Sequence, residues 1–207
     1  MFILLGERAV ASTENLGPFQ CPICQTQKEL HRVTHKNYFT VLFIRILPLG
    51  IIADYNQCSG CGHTYNQALT TEPLFFSPTR SVLAYLLSGF GLERTMDIGA
   101  KVFKAVTGTE ATTAEIQAQI TRINQGEDLF EQLKKSSPTL SWLDKSLIVE
   151  AAFLLIFASQ TIEYEERLRI NLIGNALGIS IEEIKLIIDN LQAQQYKGIR
   201  AMEIAAY

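Results

Sequence analysis

The stretch that decides the fold of the N-terminal part carries CPIC at Cys21–Cys24 and CSGCG at Cys58–Gly62. These two pairs contain all four cysteines of the 207-residue chain, and 33 residues (25 to 57) separate them. Zn²⁺ prefers four soft ligands in a tetrahedron, and each Cys-x-x-Cys turn supplies two sulfurs from one tight loop. The spacing therefore predicts a zinc site. Its predicted ligands are Cys21, Cys24, Cys58 and Cys61.

Three uses of the four cysteines have to be weighed. Four thiolates fill the coordination sphere and leave no position for water or substrate, which favours structural zinc over catalytic zinc. A redox dithiol needs an exposed cysteine of low pKa, typically at a helix N-terminus, whereas these cysteines lie between strand-like runs. Two disulfides would need an oxidising compartment, and the sequence offers no sign of export.

The N-terminus and the longest apolar runs argue against export and against a membrane span. Met1–Leu5 is too short for the apolar region of a signal peptide, and Glu7 and Arg8 follow at once. The longest apolar runs are Val41–Ala53 and Leu147–Ala158, each interrupted by a charge. Both are shorter than the ~20 residues that a membrane span needs. We expect a soluble, cytoplasmic protein.

Composition and charge limit the classes of partner. Hydrophobic residues make up 47% of the chain and charged residues 19%, which is typical of a globular protein with a buried core. The net charge is −3; the first 75 residues hold five basic and five acidic residues, and the remainder holds 13 basic and 16 acidic. Neither part has the basic surface on which non-specific nucleic-acid binding relies.

Residue patterns predict an α+β fold: a small β zinc ribbon over residues 1–72, followed by an all-α region. Runs rich in β-branched and aromatic residues indicate strands, with a loop over residues 11–20 and a break at Pro48 and Gly50. A unit of this size has little core, so bound metal would supply much of its folding energy. The predicted strands are Phe2–Leu5, Lys28–His35, Tyr38–Leu47 and Thr64–Tyr65.

After the segment Glu72–Pro78, which we interpret as a linker, the periodicity becomes helical. We predict a helical segment over residues 79–135 and a bundle over 138–197. Thr112–Glu115 and Ser180–Glu183 are predicted capping boxes, and the helix ending at Ser159 is apolar nearly all round, which is typical of a central helix. The predicted helices are Ser81–Ser88, Leu92–Val106, one after Thr112, one around Leu129–Leu133, Leu140–Ser159, Glu163–Leu177 and one after Ser180. The apolar face of Glu163–Leu177 runs through Tyr164, Leu168, Leu172 and Ala176, which we expect to be buried.

The first ~70 residues resemble a family of small zinc ribbons. The resemblance lies in the order of elements: a short apolar strand with Gly6–Arg8, the CPIC turn, an aromatic strand that ends in Ile46–Leu49, and the second cysteine turn followed by Tyr65. The resemblance implies a zinc-ribbon fold and the four cysteines as zinc ligands. It implies no activity, because the family has no settled one.

Residues ~138–195 resemble the TerB-like (tellurite-resistance) helical domain. The similarity lies in an apolar helix that ends at Ala158-Ser159, a short acidic turn, the motifs Glu165–Arg167 and Leu177–Ser180, and a final amphipathic helix. The family typically has an Asp-Gly where this chain has Ser159-Gln160. A family metal site at that turn is therefore not transferred to this chain.

Three histidines and one glutamate each allow a functional and a non-functional interpretation. His63, which follows the second cysteine turn, is a ligand or sulfur contact in one interpretation and a surface histidine in the other, and we favour the second. His31 and His35 lie too far apart on a strand to chelate one ion, so we expect both to face solvent. Glu150 is either a buried, paired carboxylate or metal ligand, or the mark of a solvent-facing stripe, which we favour.

The last two helices could form a helix-turn-helix, but the second begins with Glu182 and Glu183, which would repel phosphate. We find no catalytic triad, phosphate-binding glycine loop or metalloprotease motif. The sequence therefore predicts a non-enzymatic zinc-ribbon protein that binds a protein partner, with Tyr38–Leu47 as the region of burial or contact. The alternatives are a nucleic-acid-binding ribbon and a metal or stress-response protein that acts through the TerB-like part.

Overall fold

The computed structural model describes residues 5–68, 72–89 and 96–201. A four-stranded antiparallel sheet is followed by seven α-helices among these residues, so the α+β class is confirmed. The chain divides into two compact units, Met1–Leu74 and Phe75–Tyr207. None of the described helices combines the length and the apolar character that a bilayer span requires.

The N-terminal unit is built from three long strands and one short strand in the order β1-β2-β3-β4. The strands are β1 (Leu5–Gln20), β2 (Gln27–Val41), β3 (Ile44–Cys58) and β4 (Thr64–Tyr65). The short strand Thr64–Tyr65 is confirmed. Of the predicted strand Phe2–Leu5, only Leu5 lies within the described residues, and it begins β1.

The predicted loop over residues 11–20 is wrong, because β1 continues through it. The segment has weak strand propensity, but β1 pairs with β2 from Leu5 to Gln20, and cross-strand pairing outweighs local propensity. Gly17, with φ of 98°, follows a register shift after Asn15. The glycine and proline that suggested a loop are thus accommodated as a bulge.

The single predicted strand Tyr38–Leu47 is also wrong. A two-residue turn at Leu42 and Phe43 divides it between β2 and β3, and both turn residues have positive φ (50° and 67°). Pro48 and Gly50 do not end a strand; β3 runs through them with register shifts against β2. The expected break is therefore a series of bulges.

The helical unit is assembled around one apolar helix. The helices are α1 (Phe76–Gly89), α2 (Met96–Thr107), α3 (Thr113–Asn124), α4 (Leu129–Ser136), α5 (Trp142–Ser159), α6 (Tyr164–Ala176) and α7 (Ile181–Ala193). Helix α5 is buried on nearly all sides and contacts α1, α2, α6 and α7, which confirms its prediction as the central helix.

Several helix ends follow from capping chemistry. The predicted capping boxes at Thr112 and Ser180 are both present, with their hydroxyls accepting from the backbone N–H of Glu115 and Glu183.

Helix α1 begins at Phe76, inside the segment interpreted as a linker. Pro78 fits in its first turn because a backbone N–H there has no partner within the helix. Leu92, the predicted start of α2, lies outside the described residues.

The buried face predicted for α6 is wrong except at Ala176, which is buried. Tyr164, Leu168 and Leu172 are 74%, 39% and 43% exposed, whereas Ile170 and Ile173 are buried. Both stripes are apolar in sequence. The stripe that contains Gly174 is buried because the absence of a side chain there lets Ile184 of α7 approach closely.

Candidate metal centre

The two cysteine pairs lie in two turns of similar geometry at one end of the sheet. Cys21 directly follows β1, and Cys58 is the last residue of β3. In each turn, the N–H four residues after the first cysteine donates to that cysteine's carbonyl oxygen at 2.9 Å, from Gln25 and Gly62 respectively. Both donor residues have positive φ (54° and 73°). The repeated backbone conformation directs both pairs of sulfurs to the same place.

The structure brings together the four predicted ligand residues. Their sulfur atoms all lie within 4.8 Å of one another. Cys21 Sγ is 3.7 Å from Cys61 Sγ, and Cys24 Sγ is 4.0 Å from Cys58 Sγ. A tetrahedral ion with metal–sulfur bonds of ~2.3 Å, as for Zn²⁺, has sulfur–sulfur edges of about 3.8 Å. The cluster is therefore compatible with a metal site.

Backbone N–H groups also point at the sulfurs. The N–H of Cys24 donates to Cys21 Sγ and the N–H of Gly60 donates to Cys58 Sγ, both at 3.4 Å. Hydrogen bonds of this kind favour the thiolate form, which is the form that binds metal. The turn geometry thus both places the sulfurs and stabilises negative charge on them.

An aromatic pair encloses the cluster on its buried side. The Tyr65 hydroxyl lies 3.3 Å from Cys21 Sγ, and the Tyr65 ring meets Phe19 edge-on at 5.3 Å between centroids. Cys21 and Cys58 are fully buried, and Cys24 and Cys61 are half-buried. Tyr65 is therefore a supporting residue of the site. The sequence identified it only as an aromatic residue after the second turn.

The thiols differ in how readily they ionise. Burial opposes ionisation of Cys21, but hydrogen bonds from the Cys24 N–H and the Tyr65 hydroxyl outweigh it and lower the pKa to about 7. Burial raises the pKa of Cys61 far above its usual range, and burial together with the Cys21 sulfur raises the pKa of Cys24. A compensating cation is what would turn all four groups into thiolates, as metal binding does.

The histidines are not part of this cluster. Among the described residues, the four cysteines form the one group of three or more potential metal ligands that lie close together. His63 is only 6% exposed, so the surface interpretation is wrong; its carbonyl oxygen accepts from the N–H of Cys58. His31 and His35 are half-buried rather than solvent-facing, and His35 Nε2 lies 3.1 Å from the Tyr55 hydroxyl.

The glutamates of the helical unit have structural partners. Glu150 is buried, so the solvent-facing interpretation is wrong; its Oε2 lies within ion-pair distance of Lys197 Nζ, without hydrogen-bond geometry. Glu166 accepts from the Gln160 side chain at 2.8 Å and from the Glu163 N–H at 3.0 Å. Both carboxylates therefore have structural roles within the helical unit.

The end of the sheet opposite the cysteines is an exposed apolar surface. Leu42 and Phe43 at the turn are 57% and 77% exposed, and large aliphatic side chains continue along β3. These are Ile44, Ile46, Leu47, Leu49, Ile51 and Ile52, each 47% exposed or more. The sequence predicted that Tyr38–Leu47 is either buried or in contact with a partner. Burial is thus wrong for most of the segment that lies in β3. Contact with a partner stays a prediction.

Comparison with known proteins adds no family to this picture. No protein-family model matches the chain, and neither curated proteins nor solved structures gave a match. The similarities to zinc ribbons and to the TerB-like domain therefore remain predictions from the sequence.

Proposed function

We propose that the chain is a zinc-ribbon protein that acts without catalysis as a binding or adaptor module for a protein partner. Zn²⁺ held by Cys21, Cys24, Cys58 and Cys61 would fix the strand ends at the base of the ribbon. The ion would have a structural role, because four sulfurs saturate it. The helical unit, which we propose to be TerB-like, would supply a second contact.

The observation that carries this proposal is the exposed apolar end of the ribbon. An exposed apolar patch of several hundred Å² on a protein of this size is typical of an interaction site. Phe43 is the most exposed of its large side chains, at 77%. Water contact with this surface is unfavourable, and a protein partner that covers it would remove that cost.

The test has a metal part and a partner part. Elemental analysis should find one zinc per wild-type chain and a large loss in Cys58→Ser. Pull-downs with the intact protein should recover a specific protein that Phe43→Ser no longer retains. Glu29→Ser, at an exposed position near the cysteines, is the matched control. Recovery of no specific protein, together with tight binding of nucleic acid, would refute the proposal.

Nucleic-acid binding remains the alternative with an observation in its favour. Arg8, Lys36 and Arg45 occupy one face of the ribbon, and none of them has a carboxylate partner within 4 Å among the described residues. Binding through them would show a mobility shift with oligonucleotides that weakens steeply with salt. Absence of a shift at low salt would exclude it.

The third alternative is metal handling or stress response through the helical part. It predicts a second ion that is lost in Glu166→Gln while the zinc stays bound. The structural partners of Glu166 do not favour it.

A further inference from the structure

The two faces of the ribbon differ in chemistry. Residues that pair across neighbouring strands lie on the same face of the sheet, and successive residues along one strand alternate between the two faces. Leu5 pairs with Val41 and Val41 with Ile44, while Phe39 pairs with Leu47. We call this side of the exposed end the distal apolar face. Its apolar members are Leu5, Ala9, Phe39, Val41, Ile44 and Leu47, and Glu7 and Asn37 lie beside them on the same face.

The opposite side of the same end carries three cations. Arg8 pairs with Tyr38, Thr40 with Arg45, and Lys36 with Ile51, so the cations lie opposite the distal apolar face, beside Tyr38 and Ile51. Glu7 is the charged residue of the distal apolar face, and it accepts a hydrogen bond from Asn37. An anionic bilayer lying on the apolar face would therefore meet none of these cations.

Nearer the cysteines, the chain covers this same face itself. Val33, Ala53 and Tyr55 continue the apolar face, and all three are buried in a cluster against which Leu74 packs. At the distal end, Leu5, Ile44 and Leu47 are 60%, 63% and 58% exposed. The same face of the sheet is thus covered at its base and open at its tip, with His35 and Asn37 between the two apolar groups.

The β3 edge of the sheet is less suited to association than the face. Strand β3 has register shifts at three places against β2, and Pro48 lies among them. Bulges and proline on an edge strand disfavour the addition of another strand, because the row of backbone donors and acceptors is irregular. On this side a partner is therefore expected to use side-chain packing.

We propose that the partner of the distal apolar face is a second copy of this chain, with the two faces packed against each other about a two-fold axis. This inference rests on the proposed function and names the partner of the side of the exposed apolar end that contains Ile44 and Leu47. A two-fold interface needs a surface that complements itself, and an apolar face with its cations on the other side meets that condition. The exposed side chains offer on the order of 500 Å² per copy, about 1,000 Å² in the pair, which is near the lower limit of a specific interface. We therefore expect a reversible dimer with a dissociation constant in the micromolar range.

The experiment is sedimentation velocity of the full-length, zinc-loaded protein over a nanomolar to high-micromolar range. It compares wild type with Leu47→Lys on the distal apolar face and Leu16→Lys at the bulge of β1, outside the exposed apolar surface. The two leucines are 58% and 48% exposed, so the variants are matched in residue type and in added charge and are similar in exposure. Zinc content and circular dichroism establish that each variant is folded.

The proposal expects a concentration-dependent dimer whose dissociation constant rises about tenfold or more in Leu47→Lys and changes less than about twofold in Leu16→Lys, because only the first substitution places a cation in the interface. Equal weakening by both variants would overturn the assignment to the distal apolar face. A wild type that stays monomeric at all concentrations would overturn self-association.

If the wild type is monomeric, pull-downs and vesicle cosedimentation with the same proteins identify what the surface binds. If the monomer retains a different protein in pull-downs and Leu47→Lys does not, this inference fails and the proposed function stands. If the monomer instead cosediments with phosphatidylglycerol vesicles and captures no protein, both fail, and the surface binds lipid.

Discussion

Replacement of Tyr65 by Phe tests whether the aromatic residue behind the cysteines tunes the metal site. The change removes one oxygen, which lies 3.3 Å from Cys21 Sγ. It leaves the ring in place, and the edge-on contact with Phe19 is retained. Tyr65 is 1% exposed, so water cannot readily replace the lost donor.

The size of the effect follows from the kind of bond. A hydrogen bond to a charged acceptor contributes ~1.5–3 kcal/mol, and sulfur is a weak acceptor, so we take about 1–2 kcal/mol. This corresponds to a roughly 5- to 30-fold lower affinity for zinc at neutral pH. The range overlaps the losses that are typical when the hydrogen-bond partner of a metal ligand is removed.

The assay is competition for Zn²⁺ against a chelating dye at pH 7, on wild type, Tyr65→Phe and Tyr55→Phe. Tyr55 is the matched control, because it is also buried and its hydroxyl is bonded to His35 instead of a sulfur. Its affinity should stay within about twofold of wild type. Wild-type affinity in Tyr65→Phe would refute the reasoning, and equal losses in both variants would attribute the effect to general loss of stability.

Two further predictions concern the helical unit. Lys197→Met leaves Glu150 buried without its cation and should lower the free energy of unfolding by about 2–4 kcal/mol in urea titrations. The double variant with Glu150→Gln should recover much of this loss. No recovery in the double variant would contradict the pairing. Glu183, whose pKa is lowered by hydrogen bonds from Ser180 and Trp142, should stabilise the unit at pH values above its unfolded pKa of ~4.3 and lose that effect as the pH falls through the depressed folded value. The stability difference between wild type and Glu183→Gln, measured by thermal unfolding, should therefore be present at pH 6 and disappear near pH 2; a difference independent of pH would contradict this.

The cysteine cluster could be predicted from the sequence because its geometry is local. Each Cys-x-x-Cys turn fixes two sulfurs by itself, and only one further fact, that the two turns meet, depends on the fold. The capping boxes at Thr112 and Ser180 were predictable for the same reason, since all their atoms lie within four residues.

The errors concern features that are decided at a distance. Residues 11–20 are weak strand formers and become a strand because β2 pairs with them. The turn at Leu42 and Phe43 has positive φ at both positions without the Asn-Gly that marks such turns, so no local signal identified it. Helix α6 has two apolar stripes, and packing of Ile184 over Gly174 selects the buried one. Glu150 finds Lys197 only after the turn that follows α7.

The length of the sheet makes its cysteine end mechanically important to its apolar end. From Leu30, opposite Cys58, strand β2 continues to Val41 beside the turn, a span of roughly 35 Å at ~3.3 Å per residue. Over that lever arm, a 10° swing of the strand ends would displace the tip by about 6 Å, more than the spacing between neighbouring strands. A rigid base therefore gives the small apolar patch at the far end a defined position. Loosening of the cysteine turns would increase the displacement of the tip while all strands were still paired.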